Sequence, residues 1–108
     1  MNKLVMIALL LGAASCNKQT KHVPTCDGSN PSFKSEIEPI LQARCYDCHR
    51  PGGGNAVYNS YETILPTLKD GQFQSEVLTQ QSMPEGQPLT NEQLDLIKCW
   101  IEDGYPDN

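Results

Sequence analysis

Residues 45–49 read Cys-Tyr-Asp-Cys-His, which is two cysteines three positions apart followed at once by a histidine. Side chains at positions i and i+3 of a helical turn lie on one face. Two thiols placed in this way can add across the two vinyl groups of a haem, and the adjacent histidine can bind the iron as proximal ligand. The motif therefore predicts one covalently attached c-type haem, with Cys45 and Cys48 as attachment sites and His49 as an axial ligand.

Two other kinds of site also use a Cys-x-x-Cys pair. A thioredoxin-like redox dithiol normally lies in a βαβ context, and a structural zinc site normally combines two closely spaced ligand pairs. Cys26 and Cys99 each stand alone, with no partner two residues away. The pattern therefore favours haem over a dithiol or zinc.

Length and composition narrow the class of protein. A chain of 108 residues allows one small domain and excludes a large enzyme. The formal net charge of −5 has the wrong sign for binding nucleic-acid phosphates, so no nucleic-acid partner is expected. With 6% aromatic residues, such a domain is short of core, and a bound cofactor would fill its centre.

The sequence on both sides of the motif predicts a helix and then a loop. Ser35 and Glu38 have the spacing of a capping box, and the apolar residues that follow recur at helical intervals. This pattern predicts a first helix that runs into the Cys45 region, with Pro39 near its first turn. Residues 50–55 are rich in glycine and proline and predict a loop.

The rest of the chain also reads as helices joined by loops. Ser60 predicts the N-cap of a short helix that ends at Lys69 and is closed by Gly71, and residues 73–79 predict one or two further helical turns.

The last predicted helix has the clearest start and stop signals. Thr90 and Gln93 form a capping box, Leu89 and Leu94 have the spacing of a hydrophobic staple, and Gly104 follows as the terminating glycine. No useful stretch alternates polar and apolar residues. The predicted fold class is all-α with long loops.

The N-terminal residues predict export and a lipid anchor. Residues 1–15 combine Lys3, an apolar run over residues 4–11 and a stretch of small residues, which is typical of a secretory signal. The apolar run is far shorter than the ~20 residues that span a bilayer. Cys16 follows as in a bacterial lipobox, although Ala13 stands where leucine is usual. The alternative is cleavage nearby by a general signal peptidase, with Cys16 an incidental thiol.

These signals predict a domain organisation and a location. Residues 1–15 would be removed, residues 16–31 would form a polar tether, and residues 32–108 would form the folded domain. An acylated Cys16 would hold that domain at a periplasmic or cell-envelope membrane surface. Loss of residues 1–15, which carry one lysine and no acidic residue, changes the formal charge from −5 to −6.

From about residue 33 onward the chain resembles the small monohaem c-type cytochromes with His/Met ligation, in their exported bacterial form. The resemblance rests on an apolar helix before Cys-x-x-Cys-His, a glycine-rich loop, Met83-Pro84, and a terminal helix with Cys99-Trp100-Ile101 and Gly104. It implies the cytochrome c fold, with three to four short helices wrapped around one covalently bound haem. It also implies that Trp100 packs against the first helix near the haem edge.

Met83 is the predicted second axial ligand. It lies 34 residues beyond His49, precedes a proline that constrains its loop, and is the only methionine left once residues 1–15 are removed. His22 is the rival, although its place in the predicted tether favours a solvated side chain. A hydrogen-bond acceptor for His49 Nδ1 is expected on physical grounds. The resemblance implies a proline carbonyl further along the loop, but Pro51 comes very soon after His49 and Pro66 rather late.

Cys26 and Cys99 are predicted to form a disulfide. They are the two cysteines left when Cys16 is acylated and the motif cysteines hold haem, and an exported protein meets oxidising conditions. The alternative is a pair of free buried thiols.

The predicted function is transfer of one electron at a time, not enzymatic catalysis. With both axial positions filled, the iron has no open site for substrate. The expected partners are redox proteins, met by a monomer or within a transient complex. Two alternatives are a haem sensor, in which a small ligand displaces Met83, and a fixed haem subunit of a larger redox complex.

Overall fold

The computed structural model of the protein describes residues 21–108. They form three α-helices and two π-helical segments, in the order π1 (Phe33–Ile37), α1 (Glu38–Arg44), α2 (Tyr61–Lys69), π2 (Gln74–Thr79) and α3 (Asn91–Glu102). No strand occurs within residues 21–108, which confirms the all-α prediction for this range. The predicted signal sequence and Cys16 lie outside the described residues. None of the helices in the described range is long and apolar enough to cross a membrane.

Helix α3 begins and ends where the sequence predicts. The Thr90 hydroxyl accepts a hydrogen bond from Gln93 N, and the Gln93 side chain accepts one from Thr90 N, so the capping box is complete. At the other end Gly104 has a φ of 88°, Gly104 N donates to Ile101 O, and Tyr105 N donates to Trp100 O. These two bonds form a Schellman motif. They supply N–H donors to carbonyls at the end of the helix that have no donor within the helix.

Helix α2 also follows its sequence signals. Ser60 is the N-cap, and it exchanges hydrogen bonds with Thr63 in a second capping box. Pro66 lies inside the helix without ending it, and the chain leaves through Gly71, whose φ is 82°. The turns predicted over residues 73–79 are present as π2.

The first helix starts earlier than the predicted Ser35 cap. Ser32 is the N-cap: its hydroxyl accepts from Ser35 N, and its backbone N donates to Glu36 Oε2 at 2.7 Å. Ile37 N reaches back five residues to the Ser32 carbonyl at 3.2 Å, which is π rather than α spacing. The chain returns to α spacing just before Pro39, which has no N–H to donate. The prediction was wrong because it assumed α spacing from the first turn.

Aromatic side chains join the two ends of the folded chain. Phe33 of π1 stacks on Trp100 of α3 with ring centroids 5.5 Å apart, and Tyr61 packs edge-on against Phe33 at 5.3 Å. Trp100 is fully buried, and its indole N–H donates to the Pro106 carbonyl. The prediction that Trp100 packs against the first helix is thus confirmed. The buried apolar residues around this contact include Ile37, Ile40, Leu41, Ile64, Leu68, Leu94 and Ile97.

Residues 21–31 have no helix or strand, but they lie against α3 instead of standing away from the domain. Asp95 Oδ1 accepts hydrogen bonds from Thr25 N at 2.9 Å and from His22 Nε2 at 2.7 Å. Cys26 and Cys99 are joined as a disulfide, with an S–S distance of 2.01 Å. The folded part of the chain therefore begins before Ser32, where composition placed the boundary, since the polar segment finds partners about 70 residues later in the chain.

Candidate functional site

The Cys-x-x-Cys-His motif forms a helical turn that continues α1. Cys45 N donates to Leu41 O at 2.9 Å, Tyr46 N donates to the same carbonyl at 3.0 Å, and His49 N donates to Cys45 O at 3.0 Å. Helix α1 itself ends at Arg44, with Cys45 as its C-cap, and the turn leaves Cys45 half-buried and Cys48 exposed. The loop that follows bends the chain back beside this turn.

His49 is held by the loop that follows it. Its Nδ1 donates a hydrogen bond to the Ala56 carbonyl at 2.7 Å, and its ring stacks on Tyr58 with centroids 4.2 Å apart. Tyr58 N closes the loop by donating to His49 O at 2.8 Å. Because a carbonyl can only accept, the proton is on Nδ1, which leaves the Nε2 lone pair available to a metal.

The Ala56 carbonyl is the acceptor that the sequence could not identify. A backbone carbonyl has no residue-type signature, and its position depends on how the glycine-rich loop folds. Gly52 and Gly54 have φ values of 81° and 82°, and the Asn55 side chain donates to the Cys48 carbonyl at 2.9 Å. The one sequence signal for this return was the run of glycines before Asn55.

The motif lines a cavity of about 230 Å³ that opens beside α1. Two parts of the chain meet there: the motif and its loop, and π2 with the residues that follow it. Met83 belongs to the second of these parts, so the structure brings it to the same cavity as the motif. The lining residues are Arg44, Cys45, Cys48, His49, Asn55, Tyr58, Phe73, Glu76, Val77, Met83, Pro84 and Glu85.

Met83 is placed by the end of π2 and by Arg44. The Glu76 carbonyl accepts hydrogen bonds from Ser82 N at 2.9 Å and from Met83 N at 3.4 Å, so the backbone folds back onto π2 just before the thioether. Beyond Met83, the Arg44 guanidinium donates to the carbonyls of Gln87 and Pro88. Arg44 directly precedes the motif and lines the cavity, so one residue connects the motif with the chain segment that follows Met83.

The two motif thiols differ from the other described cysteines. Cys26 and Cys99 are bonded to each other, whereas Cys45 and Cys48 are unbonded. Burial raises the pKa of the Cys45 thiol to about 11, while Cys48 is exposed. A cysteine that attacks disulfides usually has a lowered pKa, so the surroundings of Cys45 differ from those of a reactive dithiol.

His22 is not brought to this cavity. Its ring faces Asp95 on α3, and it lies in a separate depression beside Leu78 and Thr79. The side chain is 27% exposed and is bonded to Asp95, so it is partly and not fully solvated. Its position against α3, away from the cavity, argues against it as the rival axial ligand.

The donor set of the cavity fits a c-type haem. Two unbonded thiols from one helical turn, one imidazole with its Nδ1 already engaged and one thioether line the same space, among the apolar side chains of Phe73 and Val77. These are the attachment and axial ligand types of a His/Met cytochrome. A structural zinc site usually has four thiolate or imidazole ligands, whereas Cys45, Cys48 and His49 are the only such side chains among residues 21–108 that line the cavity.

Comparison of the chain with protein-family models, with curated proteins and with solved structures finds no match.

Proposed function

We propose that the protein is an electron carrier that holds one covalently attached c-type haem. Cys45 and Cys48 form the thioether bonds, and His49 and Met83 are the axial ligands. When bound, such a group supplies one-electron redox chemistry at its iron. One electron enters from a reduced partner and leaves to an oxidised one, without a bond being made or broken in a substrate.

The convergence of Cys45, Cys48, His49 and Met83 on one cavity is the observation that carries this proposal. Met83 lies 34 residues from His49 in sequence, and nothing local to either residue requires them to meet. The Nδ1 bond of His49 to Ala56 adds support, because it fixes the ring and its tautomer in the form that binds a metal through Nε2.

The protein's own residues would hold the site in one geometry through both oxidation states. His49 is fixed at its backbone, its Nδ1 and its ring face, and Met83 is held to π2 through its own backbone N–H. A site whose geometry changes little when it gains an electron has a small reorganisation energy. Electron transfer to and from such a site is fast, as an electron carrier requires. With both axial positions filled by the protein, no position is left for a substrate, so we propose that it is not an enzyme.

The proposed fold and partners follow from the haem assignment, and the proposed location follows from the N-terminal sequence. We propose that residues 32–108 adopt the cytochrome c fold around the haem. Residues 21–31, the docked N-terminal segment that lies against α3, would be an addition to that fold. Cys16 would be acylated after removal of residues 1–15 and would anchor the protein to a membrane on the periplasmic side. Its partners would be redox proteins that bind transiently.

Mass spectrometry of the protein from a host with a periplasmic haem-attachment system tests this proposal. The expected mass is that of the chain plus one haem, retained through acid extraction and denaturation. Cys45→Ser and Cys48→Ser should each lose most of the covalent haem, whereas the matched variant Ser82→Ala should keep it. An unmodified chain mass from a host that matures a known c-type cytochrome in the same culture would overturn the proposal, and bound zinc would favour the metal-site alternative.

A further inference from the structure

Gln81, two residues before Met83, contacts the N-terminal segment formed by residues 21–31. Gln81 has a φ of 52°, in the left-handed region that few residues other than glycine adopt without support. This conformation reverses the chain after π2, so that Ser82 N and Met83 N bond back to the Glu76 carbonyl. The Gln81 side-chain amide donates to the His22 carbonyl at 2.6 Å and to the Leu78 carbonyl at 3.4 Å. The turn before Met83 is thus held from outside by the docked N-terminal segment.

The segment that supplies the His22 carbonyl is itself fixed to α3. His22 Nε2 and Thr25 N both donate to Asp95 Oδ1, at 2.7 and 2.9 Å. The Asp95 carboxyl has its pKa lowered by these hydrogen bonds, that of Thr25 N first. The disulfide at Cys26 ties the same segment to α3 one residue further on. A continuous set of contacts therefore runs from α3 through residues 22–26 to Gln81.

We propose that residues 22–26 act as a brace that positions Met83, with Gln81 as the positioning residue that receives it. The proposal deepens the proposed function and rests on Met83 being the axial ligand. The brace limits how far the Met83 loop moves away from the cavity, so it lowers the population of the form in which the thioether is detached. Its loss would make the second axial position easier for an outside ligand to enter.

Imidazole binding to the ferric, haem-loaded protein tests the brace. Imidazole must displace Met83, so its apparent dissociation constant falls as the detached population rises. Gln81→Leu removes the amide donor without adding charge near the site. Since one hydrogen bond contributes a modest net free energy, we expect imidazole affinity to rise about three- to tenfold. The control Gln80→Leu, at an exposed neighbour whose side chain contacts Ser75, should change it less than about twofold.

Two further measurements separate positioning from general destabilisation. In a Met83→Ala background there is no thioether to displace, so Gln81→Leu should no longer alter imidazole affinity. Asp95→Ala should raise the affinity in the same direction as Gln81→Leu, and the two together should act less than additively, because both release the same segment. Hydrogen exchange at Ser82 N, which bonds to Glu76 O, should accelerate in Gln81→Leu and not in Gln80→Leu.

The outcomes distinguish this inference from the proposed function. If the wild-type protein and Met83→Ala bind imidazole equally well, Met83 is not the ligand, and the proposed axial pair and the brace both fail. If they differ but Gln81→Leu matches Gln80→Leu, the ligand assignment stands and the brace is overturned. An effect of Gln81→Leu that persists in Met83→Ala would also overturn it, because it would not act through Met83.

Discussion

His49 is restrained at three places, and none of the restraining groups is an acidic side chain. Its Nδ1 donates to the neutral Ala56 carbonyl, its backbone pairs with Cys45 and Tyr58, and its ring stacks on Tyr58. A carbonyl partner fixes the orientation of the imidazole without placing a negative charge beside it, and so adds less electron density to the ring than a carboxylate would. If the proposed haem is bound, its reduction potential would therefore depend mainly on the Met83 thioether.

Replacement of Met83 tests that view directly. A neutral thioether stabilises ferrous over ferric iron, so Met83→Ala should lower the reduction potential, by on the order of 0.1–0.3 V within the ~0.8 V range that axial ligands cover. It should also abolish the weak long-wavelength absorption of ferric, thioether-ligated haem. Redox titration followed by visible spectroscopy measures both effects. His22→Ala is the control and should keep the band; loss of the band there, with no change in Met83→Ala, would reverse the assignment.

At the scale of elements, the disulfide fixes an irregular segment to the best-defined helix. It joins residues 73 apart in sequence, and Cys99 is buried within α3. Cross-links that close long loops restrict the unfolded chain most, so reduction should lower the free energy of unfolding by roughly 3–5 kcal/mol. Denaturant titration with and without reductant measures the difference. Non-reducing peptide mapping should find the Cys26–Cys99 pair linked, and two alkylatable thiols in the denatured, unreduced protein would contradict it.

The contact between Asp95 and the N-terminal segment should depend on pH. The folded state lowers the pKa of Asp95 below its ordinary 3.8 through hydrogen bonds from Thr25 N and His22. A lowered carboxyl pKa contributes stability above the ordinary value, and this is lost as pH falls through the folded-state pKa. Protection of the Thr25 amide should therefore decrease below about pH 4. Asp95→Asn should remove this pH dependence, whereas an unchanged profile in Asp95→Asn would assign it to another carboxyl group.

Sequence reasoning was most reliable for the elements that depend on local signals. The caps at Ser60 and Thr90 and the terminating Gly104 lie within a few residues of the groups they satisfy, so their positions could be predicted. The cap at Ser32 was missed because a π turn shifts the hydrogen-bonding pattern by one residue. The docked segment was missed because its partners, Asp95 and Gln81, are remote in sequence and polar composition does not reveal them.

For the candidate site, the sequence identified side chains but not the backbone that holds them. Cys45, Cys48, His49 and Met83 could be selected by spacing and residue type, and the structure brings them to one cavity. The Ala56 carbonyl could not be selected, because every residue has a backbone carbonyl. Its position is set by a loop whose conformation depends on glycines at positive φ.

At the scale of the whole molecule, charge governs how the protein would meet its partners. The chain carries a formal charge of −5, and the acidic Glu76 and Glu85 lie at the cavity with Arg44. We expect the electron-donor protein to have a basic docking patch and to form a complex that buries less than roughly 1,200 Å². Stopped-flow reduction of the ferric protein by such a donor should slow as ionic strength rises, because the Debye length is about 10 Å at 0.1 M. A rate independent of salt would assign the acidic charge to solubility alone.

If the protein carries the proposed haem, the loop after the motif would offer a point for attaching it to an electrode. The hydrogen bond from Tyr58 N to His49 O closes the loop at its base, and the residues at its tip, 51–55, are exposed. Because the ends are already joined, a doubling of the loop length would cost only about 0.6 kcal/mol. A surface-binding peptide inserted between Gly52 and Gly53 would interrupt the bond from Gly53 N to Arg50 O but none of the bonds made by Asn55, Ala56 and Tyr58, and it would bring the cavity close to a conducting surface.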